Sequence, residues 1–315
     1  MKAMLSENEI LVMKEVEKPT PKSDEILIDV RAIGINRADL LQRSGKYPSP
    51  KGWPEWPGLE VSGVVEKLGD KVCALLGGGG YAEYVCAPFG MVMPIPEGLS
   101  FEEAATIPEA YATAYLNLFW EGNLKAGQTA YISAGASGLS SVAIPMAKAF
   151  GARVITSVRY DEQVEKIRPL GADIIINTNT EKVSDVFRSE AESGRAVNMV
   201  LDCLAGDILA ESFEHMADGG YWVVISTLAG TEANVMLRPL LTKGLHLVGS
   251  MLRKRSSEEK SRILSEISER VFPKIASGEM KISIYKTLPM HEANEALDIL
   301  SRGENIGKVV LTVNK

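Results

Sequence analysis

An α/β protein in two parts is predicted by three features of this sequence: its length, a punctuated β-rich start, and a later alternation of apolar strands with helices. At 315 residues the chain exceeds what one hydrophobic core usually serves, so two domains of unequal size are expected. Up to about residue 100, short β-like runs at 26–30, 61–65 and 84–86 are interrupted by Gly and Pro, which reads as a β-rich, non-wound domain. From residue 129 six apolar runs, at 129–134, 153–158, 174–177, 198–203, 221–227 and 246–251, alternate with helical stretches. That alternation is what a parallel sheet with crossover helices requires, and six strands is the count of a doubly wound sheet. A helical pattern over 258–276 follows, then a strand at 282–288, a helix at 291–301 and a strand at 308–313. This tail is expected to rejoin the first domain. The boundaries are therefore 1–110 with 277–315 for the β-rich domain and 111–276 for the wound one.

Composition narrows the class. Hydrophobic residues at 45% and charged residues at 24% fit an ordinary globular protein and exclude disorder. A net charge of -7 offers nothing to phosphate backbones or anionic lipid, and Arg253-Lys254-Arg255 is too short a basic run to change that. No nucleic acid and no membrane partner are expected. The first residues lack the apolar stretch of a signal peptide, and no apolar run has spanning length, which predicts a cytoplasmic protein. Cys73, Cys86 and Cys203 are widely spaced with no C-x-x-C, and His215, His246 and His291 lie far from the first two cysteines. No metal site is expected, since zinc needs about four clustered ligands.

Between the first wound strand and its helix stands Ala134-Gly135-Ala136-Ser137-Gly138-Leu139-Ser140. Small residues there let backbone approach a pyrophosphate seated on a helix N-terminus. Ser137 and Ser140 occupy places where G-x-G-x-x-G has glycines, and the alternative is a serine-rich helix cap. Ser140 is expected to hold the helix a little farther from the sheet than glycine does. The second strand ends in Ser157-Val158-Arg159-Tyr160. An NAD site usually has an acid at this tip for the ribose, whereas Arg159 offers a fork to a 2'-phosphate and Ser157 a hydroxyl, so NADPH is the expected cofactor. The alternative is that Arg159 is a solvated charge, with Asp161 or Glu162 reaching the ribose.

Residues 36–47, reading Asn-Arg-Ala-Asp-Leu-Leu-Gln-Arg-Ser-Gly-Lys-Tyr, and 57–63, reading Pro-Gly-Leu-Glu-Val-Ser-Gly, resemble the N-terminal signature of the zinc-free quinone oxidoreductases. Similar stretches recur at 76–84, 93–96, 107–110, 113–114 and 305–310, so the resemblance spans nearly the whole chain. The run at 250–253 resembles the p53-inducible branch of that family. The resemblance implies a GroES-like catalytic domain beside a Rossmann domain, in the medium-chain dehydrogenase/reductase superfamily. It also implies absence of the catalytic metal, because Asn36 and Leu59 stand near positions where zinc-dependent relatives place ligands. Two departures are visible. Residues 68–72 are shorter than in typical relatives, so a surface hairpin is expected to be trimmed. Where relatives place a lysine for the 2'-phosphate this chain has Glu162-Gln163, leaving that task to Arg159.

The implied reaction is NADPH-dependent reduction of a quinone without metal. An enone or enal reductase is one alternative and a nucleotide-binding protein with little turnover another. With no histidine in the first two hundred residues, hydrogen-bond donors must meet the developing oxyanion. Tyr47 and Asn36 are the catalytic candidates: the ring of Tyr47 for stacking on a planar acceptor and its hydroxyl for donation, Asn36 as a neutral donor. The alternatives are a loop tyrosine packed between prolines and an amide that holds a turn. Expected cofactor contacts are Thr113 beside the nicotinamide, Gly135, Ser137, Gly138, Leu139 and Ser140 in the turn, and Ser157, Arg159, Gln163 and Thr178 beyond it. Cys203, Leu204, Ser226, Thr227, Leu228, Met251, Leu252 and Arg253 complete the wound domain's set. Asn305 and Lys308 approach from the catalytic domain, although Lys308 reads equally as the flank of a strand. The apolar strand around 244–252 is of the kind that pairs across a twofold axis in the family, so a homodimer is expected.

Overall fold

The computed structural model describes residues 1–314. They form two compact units, 1–112 with 253–314, and 113–252. The first begins with β1 (Lys2–Glu7) and β2 (Ile10–Glu15), an antiparallel ribbon. It continues with β3 (Glu25–Gly34), β4 (Glu60–Val65), β5 (Lys71–Leu75), β6 (Tyr84–Pro88) and β7 (Val92–Pro94). The second unit holds β8 (Thr129–Ile132), β9 (Arg153–Val158), β10 (Ile174–Asn177), β11 (Val197–Asp202), β12 (Tyr221–Val224) and β13 (His246–Gly249). The tail returns β14 (Ile284–Pro289) and β15 (Lys308–Thr312) to the first unit.

In the first unit the sheet runs β14-β15-β3-β4-β5-β7, with β6 pairing β3. Its core is aliphatic, with Ile28, Val30, Ile33, Val61 and Leu311 among its buried residues, and Leu297 and Leu300 of the helix Ala293–Arg302 close it. The β4–β5 hairpin is tight: Asp70 accepts from the Val65 N–H at 2.9 Å and Gly69 turns at φ +80°. The glycine run 77–80 exists for close approach. A side chain on Gly77 would strike the Trp53 ring, and one on Gly58 would strike the backbone of Gly80.

All neighbours in the second unit's sheet are parallel, in the order β10-β9-β8-β11-β12-β13. Numbered within the unit this is 3-2-1-4-5-6, the order of a doubly wound dinucleotide fold. β8 is buried throughout and β11 at every residue but Asn198, and both are apolar at most positions, as a parallel sheet covered on both faces requires. Trp222, Phe187, Tyr131 and Phe213 interlock at the centre, with ring centroids 5.2 to 6.2 Å apart. The first strand ends at Ile132, two residues before its expected end, because Ala134 turns to φ +52°.

One boundary is corrected. Residues 253–276, expected with the wound domain, belong to the first unit. Their periodicity is real: a capping box in which Ser256 and Glu259 exchange hydrogen bonds at 2.9 and 3.1 Å starts the helix Ser257–Arg270. Its apolar residues Ile263, Leu264 and Ile267 are buried, and the helix lies on β7 and the turn Phe89–Met91. Periodicity fixes the face of a helix but not the surface that receives it. The pattern also breaks at Val271, with a second short helix, Phe272–Ala276.

Candidate active site

In the second unit β8 ends at Ile132, and from Ser133 the chain turns into the helix Ser140–Ala149. A Cβ on Gly135 would stand 2.5 Å from Thr156 Oγ1, so only glycine lets the turn lie against β9. The two serines that replace glycines are bonded internally. Ser140, 2% exposed, donates its hydroxyl to the Ser133 carbonyl at 2.9 Å, and Ser137 Oγ accepts from the Ser140 N–H at 3.1 Å. Neither the Gly138 nor the Leu139 N–H donates to a backbone carbonyl among the described residues. Two open donors at the start of a ten-residue helix fit a pyrophosphate, so the residues present suit a dinucleotide.

The end of β9 differs from expectation in one residue. Ser157 is 2% exposed and its hydroxyl pairs with the Tyr131 hydroxyl at 2.7 Å, inside the sheet. It is therefore not the ribose contact expected of it. Arg159 is exposed, and Gln163 Oε1 accepts from the N–H groups of Arg159 and Tyr160 at 3.2 and 3.3 Å, which fixes the tip's backbone. Thr178 joins this tip through its N–H on the Val158 carbonyl at 2.9 Å. At the far side of the sheet, Leu228 N–H donates to the Cys203 carbonyl at 3.1 Å and Ala229 N–H to that of Leu204 at 2.9 Å. These bonds hold the segments of Cys203, Leu204, Ser226, Thr227 and Leu228 side by side. Thr113, partly exposed, opens the unit, and Met251 and the buried Leu252 close it.

Sequence reasoning missed Asp202, the residue that organises this end. Fully buried, it accepts from Leu204 N–H at 2.8 Å, Ala205 N–H at 3.2 Å and Trp222 Nε1 at 2.9 Å. An acid closing an otherwise apolar run was the available signal.

In the first unit a buried polar network replaces the expected roles of two residues. Lys308, 4% exposed, donates through Nζ to Ile35 O at 2.8 Å, Asn36 Oδ1 at 2.7 Å and Glu60 Oε1 at 2.7 Å. All three ammonium donors are thus used, and Lys308 anchors the network rather than reaching a cofactor. Asn36 donates to Glu60 Oε1 at 2.9 Å and to Gly34 O at 3.4 Å, so its amide is committed as well and positions Glu60 instead of donating to a substrate. Gly34 has no side chain because one would fall on Glu60 Oε1. Behind this pair lies Asp39, fully buried, accepting from the Asn36 N–H at 2.9 Å and the Tyr81 hydroxyl at 3.0 Å. Burial pushes the Asp39 carboxyl up to about 7, against the pull of those hydrogen bonds and of Lys308. Asn305, expected near the cofactor, is buried and closes its own turn on Gly307 O at 2.8 Å.

Tyr47 is partly exposed, and the Arg253 guanidinium lies 3.8 Å from its ring centroid. Arg253 donates to the carbonyls of Tyr47 at 3.3 Å, Pro48 at 3.1 Å and Gly77 at 2.7 Å. It belongs to the first unit and supports Tyr47. Burial holds the Tyr47 phenol above the usual tyrosine range, with Arg253 opposing. Lys260 donates to the Arg253 carbonyl at 3.0 Å. Among the described residues no group of three or more His, Cys, Asp or Glu has the arrangement of a metal site.

A sheet domain of GroES-like kind and a six-stranded parallel sheet bearing an open phosphate turn define a nucleotide-binding oxidoreductase of the medium-chain dehydrogenase/reductase class. Residues 138–269 match the zinc-binding dehydrogenase family and 22–97 the alcohol dehydrogenase GroES-like domain. The chain is 30% identical over 306 residues to the quinone oxidoreductase-like protein 2 homolog of Nematostella vectensis, covering 93% of this chain and 83% of that protein. It is 27% identical over 312 residues to the quinone oxidoreductase of Mus musculus, covering 95% and 92%. The quinone oxidoreductase of Thermus thermophilus, whose crystal structures include a complex with NADPH, superposes with a TM-score of 0.85 at 30% identity over 99% of this chain and 100% of that one. The chain belongs to the quinone oxidoreductase family of the medium-chain dehydrogenase/reductase superfamily.

Proposed function

We propose that this protein is an NADPH:quinone oxidoreductase that works without a metal ion. The observation that carries the reading is its end-to-end likeness to a quinone oxidoreductase crystallised with NADPH. The open N–H groups of Gly138 and Leu139 and the exposed Arg159 support it as the sites of pyrophosphate and 2'-phosphate. When bound, reduced nicotinamide supplies the hydride. The chain's own part is to orient and to stabilise: Tyr47, held by Arg253, presents a flat ring for a planar acceptor and a hydroxyl for its oxygen. Independence of metal is supported by the side chains at the positions of the zinc relatives' ligands. Leu59 has no lone pair, and Asn36 is committed to Glu60 and Lys308.

A homodimer is part of the proposal. β13 is an edge strand whose Leu247 is 48% exposed, and the helix Leu237–Thr242 that precedes it leaves Leu241 84% and Leu237 71% exposed. A cytoplasmic location fits the composition, and no helix among the described residues is long and apolar enough to cross a membrane.

The deciding experiment follows cofactor oxidation by purified protein over a panel of ortho-quinones, para-quinones and enals, with NADPH and NADH side by side. Turnover of a quinone with NADPH is expected. Faster turnover of an enal would make this an enone reductase, and NADPH binding without any turnover would leave a nucleotide-binding protein. Light scattering at micromolar concentration tests the dimer.

A further inference from the structure

Three carboxyl groups and one ammonium share the network of the first unit. Glu60 and Lys308 form the ion pair, and Asp39 and Glu109 both lie within reach of its charges. Lys308 alone does not balance the two fully buried carboxyls of Asp39 and Glu60 with Glu109 beside them, and unpaired buried charge is strongly disfavoured, so the cluster retains protons near neutrality. Which carboxyl exchanges its proton is decided by access. Asp39 and Glu60 are fully buried, whereas Glu109 is partly exposed on a turn whose other residues, Ile107, Pro108, Ala110 and Tyr111, are buried.

We propose that Glu109 is the general acid of this site, giving its carboxyl proton to the oxygen of the carbonyl acceptor as that acceptor is reduced. The proposal rests on the oxidoreductase reading above. Glu109 sits in the first turn of the helix Pro108–Tyr115, and Glu60 Oε2 fixes that turn by accepting its backbone N–H at 2.8 Å. Its carboxyl makes no hydrogen bond or ion pair among the described residues and is free to meet a ligand. The charged and titratable groups around it are Glu60 on β4, Lys308 on β15, Asp39 on the helix Arg37–Arg43, Arg253 on the turn Leu252–Lys254 and Lys260 on the helix Ser257–Arg270, with Tyr47 on its loop. Burial first, then Glu60, push the Glu109 carboxyl up to about 7, with Lys308 and Arg253 opposing. A group protonated at neutral pH and readily ionised is matched to acid catalysis. The Tyr47 phenol is displaced to weaker acidity and suits the role of a hydrogen-bond donor.

The step balances as follows. The acceptor's carbon gains a hydride, with its electron pair, from reduced nicotinamide. The Glu109 O–H bond breaks and an O–H bond forms on the acceptor oxygen. The resulting carboxylate lies near Arg253 and Lys260, and solvent returns its proton.

Two measurements on the full chain test this. The first compares kcat/KM against pH for a para-quinone with NADPH, in the wild type, Glu109→Gln and Glu109→Asp. The wild type is expected to lose activity above about pH 7, Glu109→Gln to fall about 100-fold or more and lose that dependence, and Glu109→Asp to recover both in part. The second records the infrared carbonyl band of protonated carboxyl groups on nucleotide-free protein. Asp39 is also pushed up to about 7, so the spectra are recorded on an Asp39→Asn background: a band that titrates near pH 7 is expected in Asp39→Asn and is expected to be missing in Asp39→Asn combined with Glu109→Gln. If Glu109→Gln keeps wild-type activity with the same pH profile, or the double variant keeps the titrating band, the proposal is overturned while the quinone reductase reading stands. Absence of turnover in the wild type overturns both.

Discussion

Lys308 Nζ lies 2.7 Å from Glu60 Oε1, and the two side chains are 4% and 0% exposed. Such a pair adds little over a well-packed apolar pair, yet breaking it strands a charge in the core. Lys308→Met is therefore expected to destabilise the first unit by about 3–5 kcal/mol, while Glu60→Gln combined with Lys308→Met costs less than the two singles added. Urea unfolding of the three variants checks this. Additive losses would mean that the residues act independently.

Asp39 makes stability depend on pH. Its carboxyl titrates at about 7 in the folded protein, against an unfolded value of about 3.9. The folded state therefore holds this proton more tightly than the unfolded chain. The stabilisation is complete below about pH 4 and is lost as pH rises through about 7. Each tenfold difference in proton affinity between the two states is worth about 1.4 kcal/mol, so the wild type should be a few kcal/mol more stable at pH 5 than at pH 8. Asp39→Asn keeps an acceptor for the Asn36 N–H and the Tyr81 hydroxyl and should reduce that slope, leaving the part due to Glu109, whose carboxyl is also pushed up to about 7. An unchanged slope in this variant would assign the dependence to another group.

The two networks show where sequence reading stops. The six strands of the wound sheet were legible because each is a local apolar run between turn residues. Gly135 was legible because its demand is local, a missing side chain beside a strand. Glu60 and Lys308 are 248 residues apart, and nothing near either one announces the other. A lysine opening the apolar run of β15 reads as the flank of a strand. Only the fold reveals that all three of its protons are taken. Ser157 misled for a related reason: alternation along β9 turns its hydroxyl inward onto Tyr131, a partner 26 residues away on the neighbouring strand. Arg253 lies one residue beyond the boundary between the units, and its partners, Tyr47, Pro48 and Gly77, belong to a distant part of the sequence.

Arg253→Lys separates the two roles open to this residue. Lysine keeps the charge but lacks the planar fork whose two terminal nitrogens reach Gly77 on one side and Tyr47 and Pro48 on the other and whose face stacks on the Tyr47 ring. The KM for quinone is expected to rise, with that for NADPH unchanged, because the loop that carries Tyr47 loses its support. A rise confined to NADPH would return Arg253 to the cofactor.

Arg159→Ala tests the nucleotide preference. No carboxylate pairs with Arg159 among the described residues, so its guanidinium is open to a 2'-phosphate. Loss of a charge-assisted hydrogen bond of about 1.5–3 kcal/mol should raise the NADPH KM about 10- to 100-fold and leave NADH nearly unaffected. Equal effects on both cofactors would make Arg159 a solvated surface charge.

Gly135→Ala probes the turn itself. The added methyl would stand 2.5 Å from Thr156 Oγ1 and 2.8 Å from Ile167 Cδ1. Thr156 resists displacement, because its hydroxyl donates to the Ile132 carbonyl at 2.6 Å and so ties β9 to β8. The turn must move instead, carrying the Gly138 and Leu139 N–H groups with it. A stability loss of about 1–3 kcal/mol is expected from overpacking, together with weaker NADPH binding by fluorescence titration. Adding Thr156→Ala removes the nearest obstructing atoms, leaving only the flexible end of Ile167, and should restore much of the NADPH affinity, even though the hydroxyl bond is lost. If the double variant binds no better than Gly135→Ala, the glycine serves something other than this contact.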